Sequence, residues 1–191
     1  MRVVDFDPGD KWRRSLNRVS DLKPVLKRWG MIGVEASINA FREQSYGGVT
    51  WQPRAVPNVY GLIADFDDGR NPPKRRLEAR PALVDTGNLK RSISFRTSKD
   101  SVTIGTQVKY AARLHEGGPI QSRKITEKVQ RRAAKYIAKQ TDAMQKRLNF
   151  LLSPSLLGET LTGEVEPRPF VGMTPDLEDT FVQVLRDYIT S

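Results

Sequence analysis

The fold of this chain is decided by the stretch Leu83-Val84-Asp85-Thr86-Gly87-Asn88-Leu89-Lys90-Arg91-Ser92-Ile93. Asp85 and Thr86 are favoured helix N-cap residues, because their side-chain oxygens accept the unpaired N–H groups of a first turn. Leu89 and Ile93 share one face of a short helix. From Ile93 the apolar period changes from helical to alternating, which indicates a strand. The stretch therefore predicts a turn set by Asp85, Thr86 and Gly87, a short helix and a strand.

The patterns on both sides of this stretch predict an α+β fold. Val102 and Ile104 repeat the alternation after a polar turn and predict the second strand of a hairpin. Apolar residues at helical spacing predict a long N-terminal helix over about 22–44. The glycines Gly47-Gly48 are expected to stop this helix. A C-terminal helix is expected to follow Thr174. We therefore expect a small antiparallel sheet packed against these two helices, with a long loop excursion and a helical insertion.

We expect residues 1–191 to form a single α+β domain with two additions. Residues 47–82 are rich in glycine and proline and predict an extended loop or arm, since a loop this long within a compact domain is usually functional or disordered. Residues 119–165 are interpreted as a basic helical insertion, in which 123–150 form one long helix. Near the N-terminus, Val4 and Phe6 predict a short edge strand, and a first helix is expected after Asp10.

Composition limits the chemistry that the chain can perform. Its 191 residues carry a formal net charge of +10, no cysteine and one histidine, which excludes disulfides, thiolate zinc sites and multi-histidine metal sites. The N-terminus lacks the apolar core of a signal peptide, and no apolar run reaches the roughly 20 residues that span a bilayer. We expect a soluble protein of a reducing compartment, with no cofactor and no membrane association.

Basic residues concentrate in the cluster Lys74-Arg75-Arg76 and in the helix predicted over 123–150. Both segments are candidates for contact with other subunits or partners. A positive field favours polyanions such as DNA or acidic protein surfaces, although most charge runs are simply solvated helix faces. Trp51 is an aromatic residue on the excursion and is expected to dock either on its own core or on a partner. The candidate contact residues are Trp51, Lys74, Arg75, Arg76, Lys128, Arg131, Arg132, Lys135 and Lys139.

One short motif suggests catalysis. Asp85-Thr86-Gly87 follows apolar residues as in aspartic proteases, in which two such aspartates, one per subunit, share a proton and activate water. Against this interpretation, strong helical patterns are unlike the nearly all-β retroviral enzymes, and Gly69-Arg70-Asn71 lies upstream of the aspartate instead of downstream. Asp-Thr-Gly is also a common capped turn. The aspartic protease is therefore kept as a remote alternative, and no catalytic or metal-binding residue is assigned.

Five segments taken in order resemble the phage virion morphogenesis family, the tail-completion proteins of Mu-like and related tailed phages. The excursion and the insertion depart from the family pattern. The segments that carry the resemblance are Trp51-Gln52-Pro53, Leu83 to Ile93, Val102-Thr103-Ile104-Gly105-Thr106, Tyr110-Ala111-Ala112-Arg113-Leu114-His115-Glu116-Gly117 and Pro167-Arg168-Pro169-Phe170-Val171-Gly172.

The resemblance implies a structural protein of the virion, assembled in the host cytoplasm and placed at the head–tail junction or tail end. It implies a homo-oligomeric ring, with a hexamer as a candidate stoichiometry, that contacts neck, connector or tail tube proteins and through which DNA passes. The motif residues are then expected to serve the fold, with Arg168 paired to Glu116 or Asp85. These residues are Asp85, Thr86, Gly87, Leu89, Ile93, Tyr110, His115, Gly117, Arg168, Pro169 and Phe170.

A second function class remains open from the sequence. The basic helix over 123–150 suits a nucleic-acid-binding module that tracks phosphates, and such binding weakens steeply with salt. A ring protein instead needs heterologous contacts, in which one subunit's surface meets a different surface on the next.

Overall fold

The structure is a computed structural model that describes residues 20–190. Its residue contacts divide the chain into two compact units. The first unit comprises the residues up to Thr50, Asn88–Ala111 and the residues from Pro169 onward; the second comprises Trp51–Gly87 and Ala112–Arg168. The strand expected at Val4 and Phe6 and the helix expected after Asp10 lie outside the described residues. The single domain over 1–191 stays a prediction, since compact units are not by themselves separate domains.

The described elements confirm the α+β class. Within residues 20–190 the strands pair into three two-stranded antiparallel sheets. In chain order the elements are α1 (Lys23–Glu43), β1 (Ser45–Tyr46), β2 (Val49–Thr50), α2 (Val59–Asp68), α3 (Asn88–Ser92), β3 (Ser94–Thr97), β4 (Val102–Gly105), α4 (Ala111–Glu116), β5 (Gly118–Gln121), α5 (Glu127–Ile137), α6 (Asp142–Leu148), β6 (Thr162–Val165) and α7 (Pro175–Thr190), with 3₁₀ turns at Lys74–Arg76, Asn149–Leu152 and Pro154–Leu156.

In the first unit, the long helix α1 packs against both the β3–β4 hairpin and α7. The rings of Trp29 and Phe181 stack with centroids 5.2 Å apart, and Trp29 Nε1 donates a hydrogen bond to the Phe181 carbonyl oxygen at 2.9 Å. Leu89 and Ile93 are buried, as the sequence predicts. The prediction of a small antiparallel hairpin together with an N-terminal and a C-terminal helix is confirmed, and α1 is the element that contacts both the hairpin and α7.

Two glycines of α1 allow the hairpin to approach the helix backbone. Phe95 and Ile104 face each other across β3 and β4. A Cβ added at Gly30 would lie 2.2 Å from Phe95 Cδ2, and one added at Gly33 would lie 2.2 Å from Ile104 Cδ1. Because real Cβ atoms do not approach other atoms so closely, the cross-strand pair fits here only because these helix positions carry no side chain.

The end of α1 agrees with the prediction to one residue, whereas the residue that caps it does not. The helix ends at Glu43, and Gln44 takes the left-handed conformation that caps it. Gly47 and Gly48, which were expected to stop the helix, form the turn between β1 and β2 with φ values of 56° and 81°. Two consecutive positive φ values are typical of a two-residue hairpin turn, which glycine adopts without steric cost.

The second unit has its own apolar core, formed by the two segments that were expected to be additions. Leu62, Ile63 and Phe66 of α2 pack with Ile125, Val129, Ala133, Ile137, Leu148 and Leu151. The prediction of a loop over 47–82 is therefore wrong for Val59–Asp68, which form a helix. Asn58 caps this helix by accepting from Gly61 N at 3.0 Å. The acidic residues Asp65, Asp67 and Asp68 lie in its last turn.

The single helix expected over 123–150 is also wrong. Helix α5 ends at Ile137, Thr141 is extended with ψ of 153°, and α6 begins at Asp142. A continuous helix would carry Leu148 roughly 16 Å beyond Ile137 at about 1.5 Å per residue. The break instead returns Leu148 to the same core as Val129.

Substitution of Gly30 by alanine tests the close approach of the hairpin. Alanine inside a helix normally stabilises by about 1 kcal/mol relative to glycine, but here overpacking against Phe95 is expected to cost about 1–3 kcal/mol. We expect Gly30→Ala to lower the melting temperature measured by circular dichroism. Gly105→Ala is the matched control, because nothing lies within 4 Å of a Cβ added there. An unchanged or higher melting temperature for Gly30→Ala would contradict the packing.

Candidate functional site

Arg168 joins three of the motif segments in the second unit. Its backbone N–H donates to the Leu114 carbonyl oxygen at 3.0 Å, and its Nε donates to the Gln52 carbonyl oxygen at 3.0 Å. Its Nη1 donates to the carbonyl oxygen of Glu166. A carboxylate partner, either Glu116 or Asp85, was expected for Arg168. This prediction is wrong, because the guanidinium donates its hydrogen bonds to backbone carbonyl oxygens. Burial lowers the pKa of Arg168, and the charge of Glu166 partly opposes this.

The other motif residues are placed as parts of the fold. Gly117 has φ of 75°, and a Cβ there would lie 2.6 Å from the Val165 carbonyl oxygen, so both conformation and space require glycine. Phe170 is buried against Phe41 in the first unit, with ring centroids 5.7 Å apart. Pro169 directly precedes it. His115 lies half-buried in α4, whereas Tyr110 is 47% exposed.

Trp51 is buried, with 3% of its surface exposed. A side chain with so little accessible area offers a partner almost no contact. The proposed role of Trp51 as a partner contact is therefore wrong for the chain as described, and the alternative that Trp51 docks on its own chain holds.

Asp85 faces arginines instead of capping a helix. Its Oδ1 lies 3.0 Å from Arg75 Nε and 3.9 Å from Arg54 Nη1, and Arg80 Nη1 donates to its carbonyl oxygen at 3.3 Å. The prediction of Asp85 as an N-cap is wrong, whereas that of Thr86 stays a prediction. Gly87, with φ of 75°, is left-handed and sets the turn that precedes α3.

This geometry gives no support to the aspartic protease alternative. That chemistry needs a second carboxylate close enough to share a proton, and the groups beside the Asp85 carboxylate are guanidinium groups. The α+β fold with long helices also departs from the nearly all-β fold of the retroviral enzymes.

A second ion cluster, which the sequence interpretation missed, centres on Asp65. This carboxylate is almost fully buried and lies 2.9 Å from Arg76 Nε and 3.1 Å from Arg70 Nη2. The Arg76 guanidinium lies directly over Gly61, where a Cβ would approach it to 2.6 Å. Arg76, a candidate contact residue, thus holds the 3₁₀ turn onto α2 and has its charge neutralised within its own unit.

Several cations of the insertion are also used within the second unit. Arg123 Nη1 lies 2.9 Å from Asp67 and also pairs with Asp68. Lys128 Nζ donates to the Asp67 carbonyl oxygen and Arg132 Nη1 to the Phe66 carbonyl oxygen, both at 2.7 Å. The hydrogen bond from Arg123 lowers the pKa of Asp68. Lys128 and Arg132 therefore bind α5 to the end of α2.

Three of the remaining candidate cations form an exposed basic face. Arg131, Lys135 and Lys139 follow the spacing of one helical face along and just beyond α5, and all three are exposed. Lys74 is exposed as well. Among residues 20–190, no ion pair neutralises these four side chains. This surface, the basic face, is free to meet an acidic group on another molecule.

Residues 20–190 contain no cluster of three or more histidine and carboxylate side chains that could hold a metal ion. Over the same residues, no helix combines the length and apolar character needed to cross a bilayer.

Most motif residues thus take part in the fold, and the candidate cations without an ion pair among the described residues are exposed. The phage virion morphogenesis family matches residues 10–190 of the chain. Because this match covers nearly the whole sequence, the protein belongs to the phage virion morphogenesis family and has a structural role in building the phage particle. No curated protein and no solved structure matches the chain.

Removal of the Asp65 charge is expected to destabilise the second unit. In Asp65→Asn, Arg76 and Arg70 lose their buried carboxylate partner, and a hydrogen bond to a charged group is worth about 1.5–3 kcal/mol. We expect the urea midpoint of the full chain to fall accordingly. Asp142→Asn is the control, since Asp142 is exposed at the start of α6. Equal effects of the two substitutions would show that the buried cluster contributes nothing specific.

Proposed function

We propose that this protein is a structural virion protein that forms an oligomeric ring at the head–tail junction of a tailed phage. In this role it completes or terminates the tail, or forms part of the neck, and contacts connector or tail tube proteins. The observation that carries the proposal is the family match over residues 10–190. The ring, its stoichiometry and its position are the proposal's own.

The second unit suits the heterologous contacts of a ring. Such contacts place one surface of a subunit against a different surface of the next. The apolar core of this unit fixes α2 and α5 together, so the segments 54–82 and 123–150 present one shared surface and not two separate arms. We propose that Lys74, Arg131, Lys135 and Lys139 on this surface make the contacts.

A basic nucleic-acid-binding module is the second candidate function, and the basic face favours it. Exposed cations at helical spacing can follow a phosphate backbone and release its counterions. This candidate requires an affinity for duplex DNA that falls steeply with salt. A ring subunit that meets only acidic protein surfaces has no such requirement. Within a ring, the same face could line the channel through which DNA passes.

Disruption of the gene in the phage tests the proposed position. Without the protein at the head–tail junction, we expect electron micrographs of lysates to show filled heads and separate tails, and the wild-type gene supplied in trans should restore joined particles. A Lys135→Glu/Lys139→Glu variant should restore fewer particles than Arg96→Glu/Lys99→Glu, which makes the same charge change on the exposed β3–β4 hairpin. Joined, infectious particles from the disrupted phage would contradict the proposal.

A further inference from the structure

More guanidinium groups than carboxylates lie around Asp85. Arg54, Arg75 and Arg80 converge on this residue, while Arg76 close by is already paired with Asp65. Burial lowers the pKa of Arg54, the charge of Asp85 raises it, and the charges of Arg76, Arg80 and Arg75 lower it further. The carboxylate is thus shared by Arg54 and Arg75, and Arg80 donates to the backbone carbonyl oxygen of the same residue. Asp85 and these three guanidinium groups are here called the Asp85 arginine cluster.

The donors of this cluster are only partly used. Arg54 Nη2 donates to the carbonyl oxygens of Arg75 and Glu78, but its Nε is buried without a hydrogen-bond partner among the described residues. Arg75 Nε is close enough to Asp85 Oδ1 for an ion pair, yet its N–H is not aligned with that oxygen for a hydrogen bond. Burial of guanidinium donors without partners is unfavourable, so the cluster is incompletely satisfied.

The cluster is also open to a ligand. The side chains of Asp85 and Arg75 are 40% and 37% exposed, and that of Arg54 is 21% exposed. Arg80 is exposed. A group from solution can therefore reach the guanidinium forks without any rearrangement of the core of the second unit.

We propose that the Asp85 arginine cluster is a binding site for a phosphate oxyanion. The planar fork of a guanidinium group matches the oxygens of phosphate and donates two parallel hydrogen bonds. A doubly charged tetrahedral anion compensates several guanidinium groups at once, which the single charge of Asp85 does not. Asp85 then acts as a built-in competitor that occupies part of the site when phosphate is absent.

The source of the phosphate is either the free ion or the backbone of DNA, and the chemistry of recognition is the same. Phosphate binding at this cluster does not require a ring. Failure of the ring proposal and failure of this inference can therefore be observed separately.

The competitor role of Asp85 predicts the sign of a substitution. Inorganic phosphate should bind the wild-type full chain in calorimetric titrations at constant ionic strength, whereas chloride should not reproduce the effect. Asp85→Asn should bind phosphate about thirtyfold more tightly, the factor that repulsion between a unit charge and a doubly charged anion roughly 4 Å apart contributes in a water-like medium. Arg75→Gln and Arg80→Gln should weaken binding, and Arg131→Gln on the basic face is the matched control that should not.

Each result bears on the inference. If Asp85→Asn does not fold, the loss of phosphate binding in Arg80→Gln, an exposed residue, still tests the site. A short DNA duplex whose binding is competed by inorganic phosphate and reduced by Arg80→Gln identifies the DNA backbone as a source, and phosphate binding without duplex binding identifies the free ion. The inference is overturned if phosphate and chloride act alike on both wild type and Asp85→Asn, if Arg131→Gln loses as much affinity as Arg80→Gln, or if an acidic peptide binds and phosphate does not.

Discussion

The apolar contact between α2 and α5 is the constraint on which the second unit depends. It brings together residues 51–87 and 112–168, which the chain separates by the β3–β4 hairpin of the first unit. Leu62, Ile63, Ile125 and Val129 are almost completely buried in it. Burial of such side chains is worth roughly 1.5–3 kcal/mol each relative to exposure, so the contact supplies a large part of the stabilisation that orders these two segments.

That contact also decides which charges are used within the fold and which remain for partners. Cations near the end of α2 are neutralised: Arg76 by buried Asp65, and Arg123 by Asp67 and Asp68 at the rim. Cations farther along α5 and just beyond its end, such as Lys135 and Lys139, remain exposed. The net charge of +10 is therefore unevenly distributed. Part of the positive charge is paired within the fold, and the unpaired part lies on exposed surfaces.

The sequence predicts elements whose signals are local, and misses those that depend on distant contacts. Helices α1 and α7 and the β3–β4 hairpin have strong apolar periods and were placed correctly. Helix α2 was missed because glycine and proline around it obscured the cap at Asn58 and the apolar spacing of Leu62 and Phe66. Contacts such as Asp85 with Arg54 join segments far apart in sequence, and no local pattern indicates them. The family was recognised because its motif segments are local and ordered, whereas their meeting at Arg168 required the fold.

Native-state hydrogen exchange by mass spectrometry on the full chain tests most directly the claim that the excursion and the insertion form one cooperative unit. Amides of α2 and α5 should exchange with a common opening free energy, because neither helix keeps its core without the other. Val129→Ala, which removes buried methyl groups from α5, should increase exchange in α2 as much as in α5, while α1 exchanges as before. Rapid exchange of α2 in the wild type, or an effect of Val129→Ala confined to α5, would contradict the account.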